Sequence, residues 1–150
     1  MMIRRLIIIL FFLFSNEVVA GQFFSCSGAQ VSIEVVKSDR SAYAADSVVR
    51  VELDDAVTIL RYQNIDYIGG KCLKDARGLD KVLYQAHCGG SRCKDLDNWG
   101  IINPHNLKVL LKPDDSNREE AQKILGISKL NISDKLSVEK EKVKLGIPLI

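Results

Sequence analysis

Residues 84–113, YQAHCGGSRCKDLDNWGIINPHNLKVLLKP, carry the features from which the fold is most directly predicted. Two of the four cysteines, Cys88 and Cys93, enclose the sequence Gly-Gly-Ser-Arg, and the only tryptophan, Trp99, follows them. Two apolar runs, WGII and LKVLL, are then separated by NPHN, whose residue types are typical of turns. The pattern predicts a cysteine-closed loop followed by a β-hairpin.

Alternation of apolar and polar residues predicts further strands on both sides of this stretch. Four of them follow one another closely before residue 63, which favours an antiparallel meander. Gly69 and Gly70 are expected to break the chain before two more strands. The predicted fold is α+β and mostly β: an antiparallel sheet, small barrel or sandwich, with one helix packed near the C-terminus. The predicted strands are 22–26, 31–35, 49–53, 57–62, 71–73 and 82–88.

One segment within this domain has clear helix signals. Ser116 is placed to cap the helix, Glu119 three residues later completes a capping box, and Gly126 supplies the C-terminal stop. We therefore predict a domain of residues 21–126 that ends in this helix.

Residues 127–150 form a segment of different character, with five lysines, three acidic residues and scattered apolar residues. We interpret it as a charged amphipathic tail, with a helix over residues 133–146. Two alternatives remain: two short strands around a lysine-glutamate turn, or a solvated chain end.

The first 20 residues resemble a secretory signal peptide. Arg4 and Arg5 precede an unbroken apolar run, and Ala20 is the small residue that signal peptidase prefers. The apolar run is shorter than the roughly 20 residues that a membrane span needs. We expect cleavage before Gly21, a periplasmic or secreted protein, and no stable membrane span after cleavage; an uncleaved anchor is the alternative.

All four cysteines lie beyond the predicted cleavage site, and an exported compartment is oxidising. An even number of thiols there favours two disulfides over a metal site. We prefer Cys88 with Cys93, because closing so short a loop costs little entropy, and Cys26 with Cys72. The crossed pairings stay open.

Residues suited to catalysis are scarce. His87 and His105 are the only histidines, and His87 lies next to Cys88 in a predicted strand, where neighbouring side chains point to opposite faces. After the predicted cleavage the chain has 19 basic and 18 acidic residues, without the basic footprint of a nucleic-acid binder. We predict no enzyme, no cofactor, no metal and no nucleic-acid partner.

Recognition of a protein is the function that these residues favour. A disulfide between the cysteines would hold Gly89, Gly90, Ser91 and Arg92 in one presented conformation, which reduces the entropy cost of binding. Arg92 could pair with a carboxylate of a partner, and Trp99 is either a core residue or an exposed anchor. The alternative for the loop is a purely structural staple.

The cysteine-closed loop and the following glycine-containing apolar strand resemble the periplasmic lysozyme inhibitors known as inhibitor of vertebrate lysozyme. The resemblance covers residues 84–111. In that family a two-cysteine loop enters the active-site cleft of the enzyme, although its loop has proline and histidine where this chain has Gly89 to Arg92. The layout is also similar to periplasmic toxin-immunity proteins.

These observations predict an exported, non-enzymatic binding protein. Its expected partner is a peptidoglycan hydrolase or toxin, which it would inhibit through the loop between Cys88 and Cys93. The alternative is a structural or assembly component of the cell envelope that docks through residues 127–150.

Overall fold

The structure, a computed structural model, describes residues 21–89, 98–114 and 116–150. Its first half is an antiparallel meander, in which each strand pairs with the next along the chain. This first sheet confirms the predicted meander. Its strands are β1 (Gly21–Cys26), β2 (Ala29–Lys37), β3 (Ala45–Leu53) and β4 (Ala56–Tyr62).

The second sheet has the order β8-β7-β6-β5-β9, and its strand pairs are also antiparallel. Two helices, α1 (Arg118–Leu125) and α2 (Val138–Lys144), complete the described part of the chain. The fold is therefore α+β and mostly β, as predicted, with a second helix near the C-terminus. The strands of this sheet are β5 (Tyr67–Lys74), β6 (Asp80–His87), β7 (Trp99–Ile102), β8 (Val109–Leu111) and β9 (Leu136–Ser137).

The second sheet separates two apolar cores because alternate residues of a strand face opposite sides. Val82, Tyr84 and Ala86 of β6 pack against the first sheet in what we call the inner core. Leu83 points the other way, into an outer core formed with α1 and the segment that contains Leu130. The protein thus has three layers: the first sheet, the second sheet, and α1 with the chain that follows it.

The disulfide between Cys26 and Cys72 joins the end of β1 to β5, with 5.3 Å between the two Cα atoms. This bond confirms one of the two predicted pairings and links the two sheets. Cys88 is also disulfide bonded. Its predicted partner, Cys93, lies outside the described residues.

The prediction that Gly69 and Gly70 break the chain is wrong, because both lie inside β5. A Cβ on Gly69 would lie 2.5 Å from the Asp134 carbonyl oxygen, and one on Gly70 would lie 2.7 Å from Ile33 Cδ1. The two glycines therefore let other segments approach the strand closely from each side. Gly69 and Gly70 are therefore sites at which neighbouring segments pack against β5, and they do not form a turn.

Helix α1 ends at Gly126 as predicted, with the residue in the left-handed conformation, but the predicted capping box is wrong. The helix begins at Arg118, and its N-cap residue is Asn117. The Asn117 side chain bonds instead to the backbone N–H and carbonyl of Trp99, both at 2.8 Å. The buried Asn117 amide thus pairs with the backbone N–H and carbonyl groups of β7, as the backbone of a neighbouring strand would.

Residues 127–150 are not an independent tail. Leu130 and Ile132 are buried in the outer core, and Val138 belongs to the inner core. The predicted helix over residues 133–146 is wrong in its first part, where β9 pairs with β5. The helical part starts at Val138, after Ser137, whose hydroxyl accepts a hydrogen bond from Lys140 N at 3.4 Å. No helix in the described ranges is long and apolar enough to cross a membrane.

Candidate partner-binding site at the end of strand β6

The predicted loop is only partly described. Gly90, Ser91, Arg92 and Cys93 lie outside the described residues, so their predicted roles stay predictions. The chain that enters the loop, from the end of β6 to Gly89, is described in full. The geometry of this strand end is therefore what the structure contributes to the predicted site.

Trp99 belongs to the core, the first of the two roles considered for it. It is 1% exposed and lies in the outer core. The Arg118 guanidinium lies 5.3 Å from the centre of its ring, while its buried indole N–H has no hydrogen-bond acceptor among the described residues. Trp99 therefore cannot act as the exposed anchor that was the second role.

Asp66 and Tyr67 fix the position of the chain where β6 ends. The Asp66 backbone N–H donates to the His87 carbonyl at 3.0 Å. The Asp66 carboxylate accepts a hydrogen bond from Gly89 N at 2.7 Å. The Tyr67 ring stacks on the His87 ring with 5.4 Å between centroids. These contacts hold His87 and Gly89, the residues that precede and follow Cys88.

Gly89 has a steric role that differs from the predicted one. It does not adopt a positive φ angle. The Tyr67 ring instead covers it so closely that a Cβ on Gly89 would overlap the ring. Glycine at this position leaves room for an aromatic side chain to pack on its backbone.

His87 is buried beside a lysine, and no carboxylate of the described residues hydrogen bonds to its ring. Its Nδ1 lies 3.2 Å from the Cys88 carbonyl oxygen, which can only accept, and its Nε2 lies 3.1 Å from Lys135 Nζ. Lys135 also donates to Gln85 Oε1 at 3.2 Å. With a charged Lys135, this arrangement suits a neutral imidazole that carries its proton on Nδ1.

Burial dominates the ionisation of both groups. Desolvation lowers the pKa of His87, and the charge of Lys135 lowers it further, although the Cys88 carbonyl and Asp66 act in the opposite direction. Desolvation also lowers the pKa of Lys135.

The residues that make these contacts form one group at the end of β6. We call this group, which consists of Asp66, Tyr67, Gln85, His87, Gly89 and Lys135, the strand-end cluster.

Two concave surfaces adjoin this cluster. A pocket of about 230 Å³ is lined by Asp66, Tyr67, Gly89, Ser137 and Glu139. A second pocket, of about 420 Å³, shares Asp66 and Glu139 with the first and extends to Tyr43, which is 53% exposed. The surface next to the predicted loop is therefore indented and carries both apolar and charged side chains.

The residues that hold the strand end were mostly missed from the sequence. Asp66 and Tyr67 lie between the predicted strands 57–62 and 71–73, and Lys135 is 48 residues from the histidine that it contacts. The sequence signal that could have indicated the crossing is Gly69 of β5, because its lack of a side chain allows Asp134 and Lys135 to cross over the strand.

Within the described ranges, no group of three or more histidine, cysteine, aspartate or glutamate residues could hold a metal ion.

Compared with known proteins, the chain matches no family model, no curated protein and no solved structure. Its fold is known from the arrangement of its own strands. The similarity of residues 84–111 to periplasmic inhibitors stays a prediction.

Proposed function

We propose that the protein is an exported, non-enzymatic binding protein that inhibits a cell-wall-degrading enzyme or toxin. The contact would be made by the segment between Cys88 and Cys93 together with the neighbouring concave surface. One observation carries the proposal: the strand that leads into this segment is fixed on both sides of Cys88 by the strand-end cluster.

A fixed strand end favours binding because it lowers the conformational entropy that a partner has to remove. The hydrogen bond from Gly89 N to Asp66 and the Tyr67 ring over Gly89 restrict the chain before it leaves the sheet. The disulfide bond of Cys88 restricts the chain further. Loops that bind proteins are commonly carried by rigid scaffolds of this kind.

The neighbouring pockets support a protein partner over a small molecule. They are open to solvent and are lined by Tyr43, Tyr67, Asp66 and Glu139, which offer aromatic and charged groups together. Tyrosine is enriched in protein interfaces because it combines an apolar ring with a hydrogen-bonding hydroxyl. A partner that receives the loop could place its own side chains in these pockets.

The test is a binding and inhibition screen of the purified protein against peptidoglycan hydrolases and envelope-targeting toxins. We expect a complex with at least one of them, weakened about tenfold or more by Arg92→Ala or Tyr67→Ala. His105→Ala is the matched control, because His105 is exposed in the β7–β8 turn, away from the strand-end cluster. Absence of any complex, or equal binding by all three variants, would contradict the proposal.

The alternative role, an envelope component that docks through residues 127–150, needs a test that keeps the fold intact. Deleting the segment would remove Leu130, Ile132 and Val138 from the cores. Val143→Asp changes a side chain that is 60% exposed and lines neither of the two pockets. Loss of envelope association in this variant, with inhibition unchanged, would favour the alternative.

A further inference from the structure

The edge strands of the two sheets are protected from outside pairing to different degrees. At β1, the Gln22 side chain accepts from Gly70 N at 3.0 Å and donates to the Asp134 carbonyl at 2.7 Å, which joins this edge to the second sheet. Strand β8 has only three residues with an irregular register, and β9 has two. Strand β4 has seven residues and, within the described residues, pairs with β3 alone.

The sequence of β4, AVTILRY, is suited to strand pairing. It contains no proline, glycine or lysine, which are the residues that commonly blunt an edge. Val57 is 44% exposed and Ile59 is 46% exposed. A long apolar edge of this kind is an aggregation hazard unless another strand covers it.

The direction of the backbone groups follows from the β3–β4 hairpin. This hairpin closes on the pair Leu53 and Ala56 across a two-residue turn, so that pair is hydrogen bonded. The pattern alternates along the strand, and Val57, Ile59 and Arg61 consequently direct their N–H and carbonyl groups away from β3. An incoming antiparallel strand would meet these three residues.

We propose that β4 pairs with β4 of a second copy of the chain, antiparallel and with the two-fold axis at Thr58. In this register Val57 lies opposite the partner's Ile59, and Asp55 lies opposite the partner's Arg61. The symmetry produces each of these pairs twice. A register centred on Ile59 would instead place Val57 opposite the partner's Arg61 and lose both complementary pairs.

The charged groups in this register are accessible. Asp55 is an exposed turn residue. The Arg61 side chain is 58% exposed, and its contact with Asp46 is long, at 3.8 Å. The same Asp46 carboxylate has a closer partner in Arg40, at 3.1 Å. Arg61 can therefore turn towards a second chain while Asp46 remains paired.

Pairing along one strand buries a small area, so we expect a reversible dimer with a dissociation constant on the order of micromolar. Sedimentation velocity over a dilution series of the purified protein measures it. Asp55→Arg or Arg61→Asp alone should weaken dimerisation about tenfold or more, because each replaces two attractive cross-strand pairs by two repulsive ones. The double variant Asp55→Arg/Arg61→Asp should restore it, because the charges are exchanged across the interface.

Lys129→Glu is the matched control: it reverses one charge at an exposed position in the segment after α1, outside the first sheet, and it should dimerise normally. Val57→Lys, a change at an exposed position, should also weaken the dimer and serves if a charge variant fails to fold. Hydrogen exchange of the Val57 and Ile59 amides should slow as protein concentration rises. A chain that stays monomeric at high concentration, or a double variant that does not regain dimerisation, would overturn the proposal.

Discussion

A lysine side chain lies at each end of strand β6 on the same face of the sheet, and the two lysines have different partners. At the start of the strand, Lys81 is buried and its Nζ lies 3.2 Å from the Asp75 carboxylate, which is also buried. At the other end, Lys135 reaches over β5 to a neutral acceptor, His87, and to the Gln85 amide oxygen. Leu83 lies between them and faces the outer core.

The contact between Lys81 and Asp75 is structural, whereas the contact between Lys135 and His87 can change with pH. Asp75 also accepts from the backbone N–H groups of Arg77 and Leu79, at 2.9 and 3.0 Å, so its turn and the cation are fixed together. At the other end Lys135 remains exposed, and the histidine that it contacts has a pKa that is lowered, mainly by desolvation. Only the second end adjoins the proposed binding surface.

The largest effect is expected from breaking the ion pair at the start of β6. Lys81→Met leaves the buried Asp75 carboxylate without its buried cation, and we expect the melting temperature to fall on the order of 10 °C. Arg77→Met is the control, because it removes a cation from the same carboxylate but one whose side chain is 74% exposed. Thermal unfolding measured by circular dichroism would contradict us if both variants lost the same amount.

The next effect concerns the packing at the other end of the strand. Gly89→Ala adds a Cβ that overlaps the Tyr67 ring, and because both residues are exposed the ring can shift, so we expect a loss of about 1 kcal/mol. Urea unfolding measures the loss. The double variant Gly89→Ala/Tyr67→Ala tests the cause, since it should lose less than the two single variants together. Additive losses would show that the ring over Gly89 is not the obstacle.

The pH dependence of stability should show the two ends separately. The pKa of His87 is lowered on folding, mainly by desolvation, so the unfolded chain binds more protons and stability falls as pH drops below the ordinary histidine pKa of about 6.5. The Leu79 N–H, with Lys81 and the Arg77 N–H, lowers the pKa of Asp75 to about 2 against its desolvation. A second loss should therefore occur between about pH 4 and 2.

His87→Gln should remove the first of these losses and leave the second. Among the residues that the structure describes, the charged and titratable groups that surround His87 are Asp66, Tyr67 and Lys135. His105→Gln is the control, because His105 lies in the exposed β7–β8 turn. Melting temperatures measured from pH 8 to pH 2 would contradict the assignment if the His105 variant, and not the His87 variant, flattened the curve near pH 6.

The smallest effect is expected from Lys135→Gln at neutral pH, within about 0.5 kcal/mol, since Lys135 is exposed and its partners are neutral. The variant should nevertheless reduce the acid-side loss of stability, because a protonated His87 would no longer face a cation. Unfolding by urea at pH 7.5 and pH 5.5 measures both parts. A large loss at pH 7.5 would show that Lys135 is structural in the way that Lys81 is.

Much of the first sheet was predictable because its strands pair with their sequence neighbours. Alternation in β2 and in the second half of β3, and a two-residue turn at Asp54 and Asp55, determine these pairings locally. The strand-end cluster was not predictable in this way. It combines residues from β5, β6 and the chain before β9, and nothing in the sequence near His87 specifies Lys135 as its neighbour.

The sequence by itself determined the strands of the first sheet and the helix end at Gly126, because each depends on local pattern, and the even number of thiols favoured disulfides without fixing their pairing. Tertiary structure alone decided the placement of the glycines, the use of Asn117 and the burial of Trp99. The reason is physical. A glycine that ends a strand and one that admits a neighbouring segment have the same local sequence, and only the packed neighbour distinguishes them.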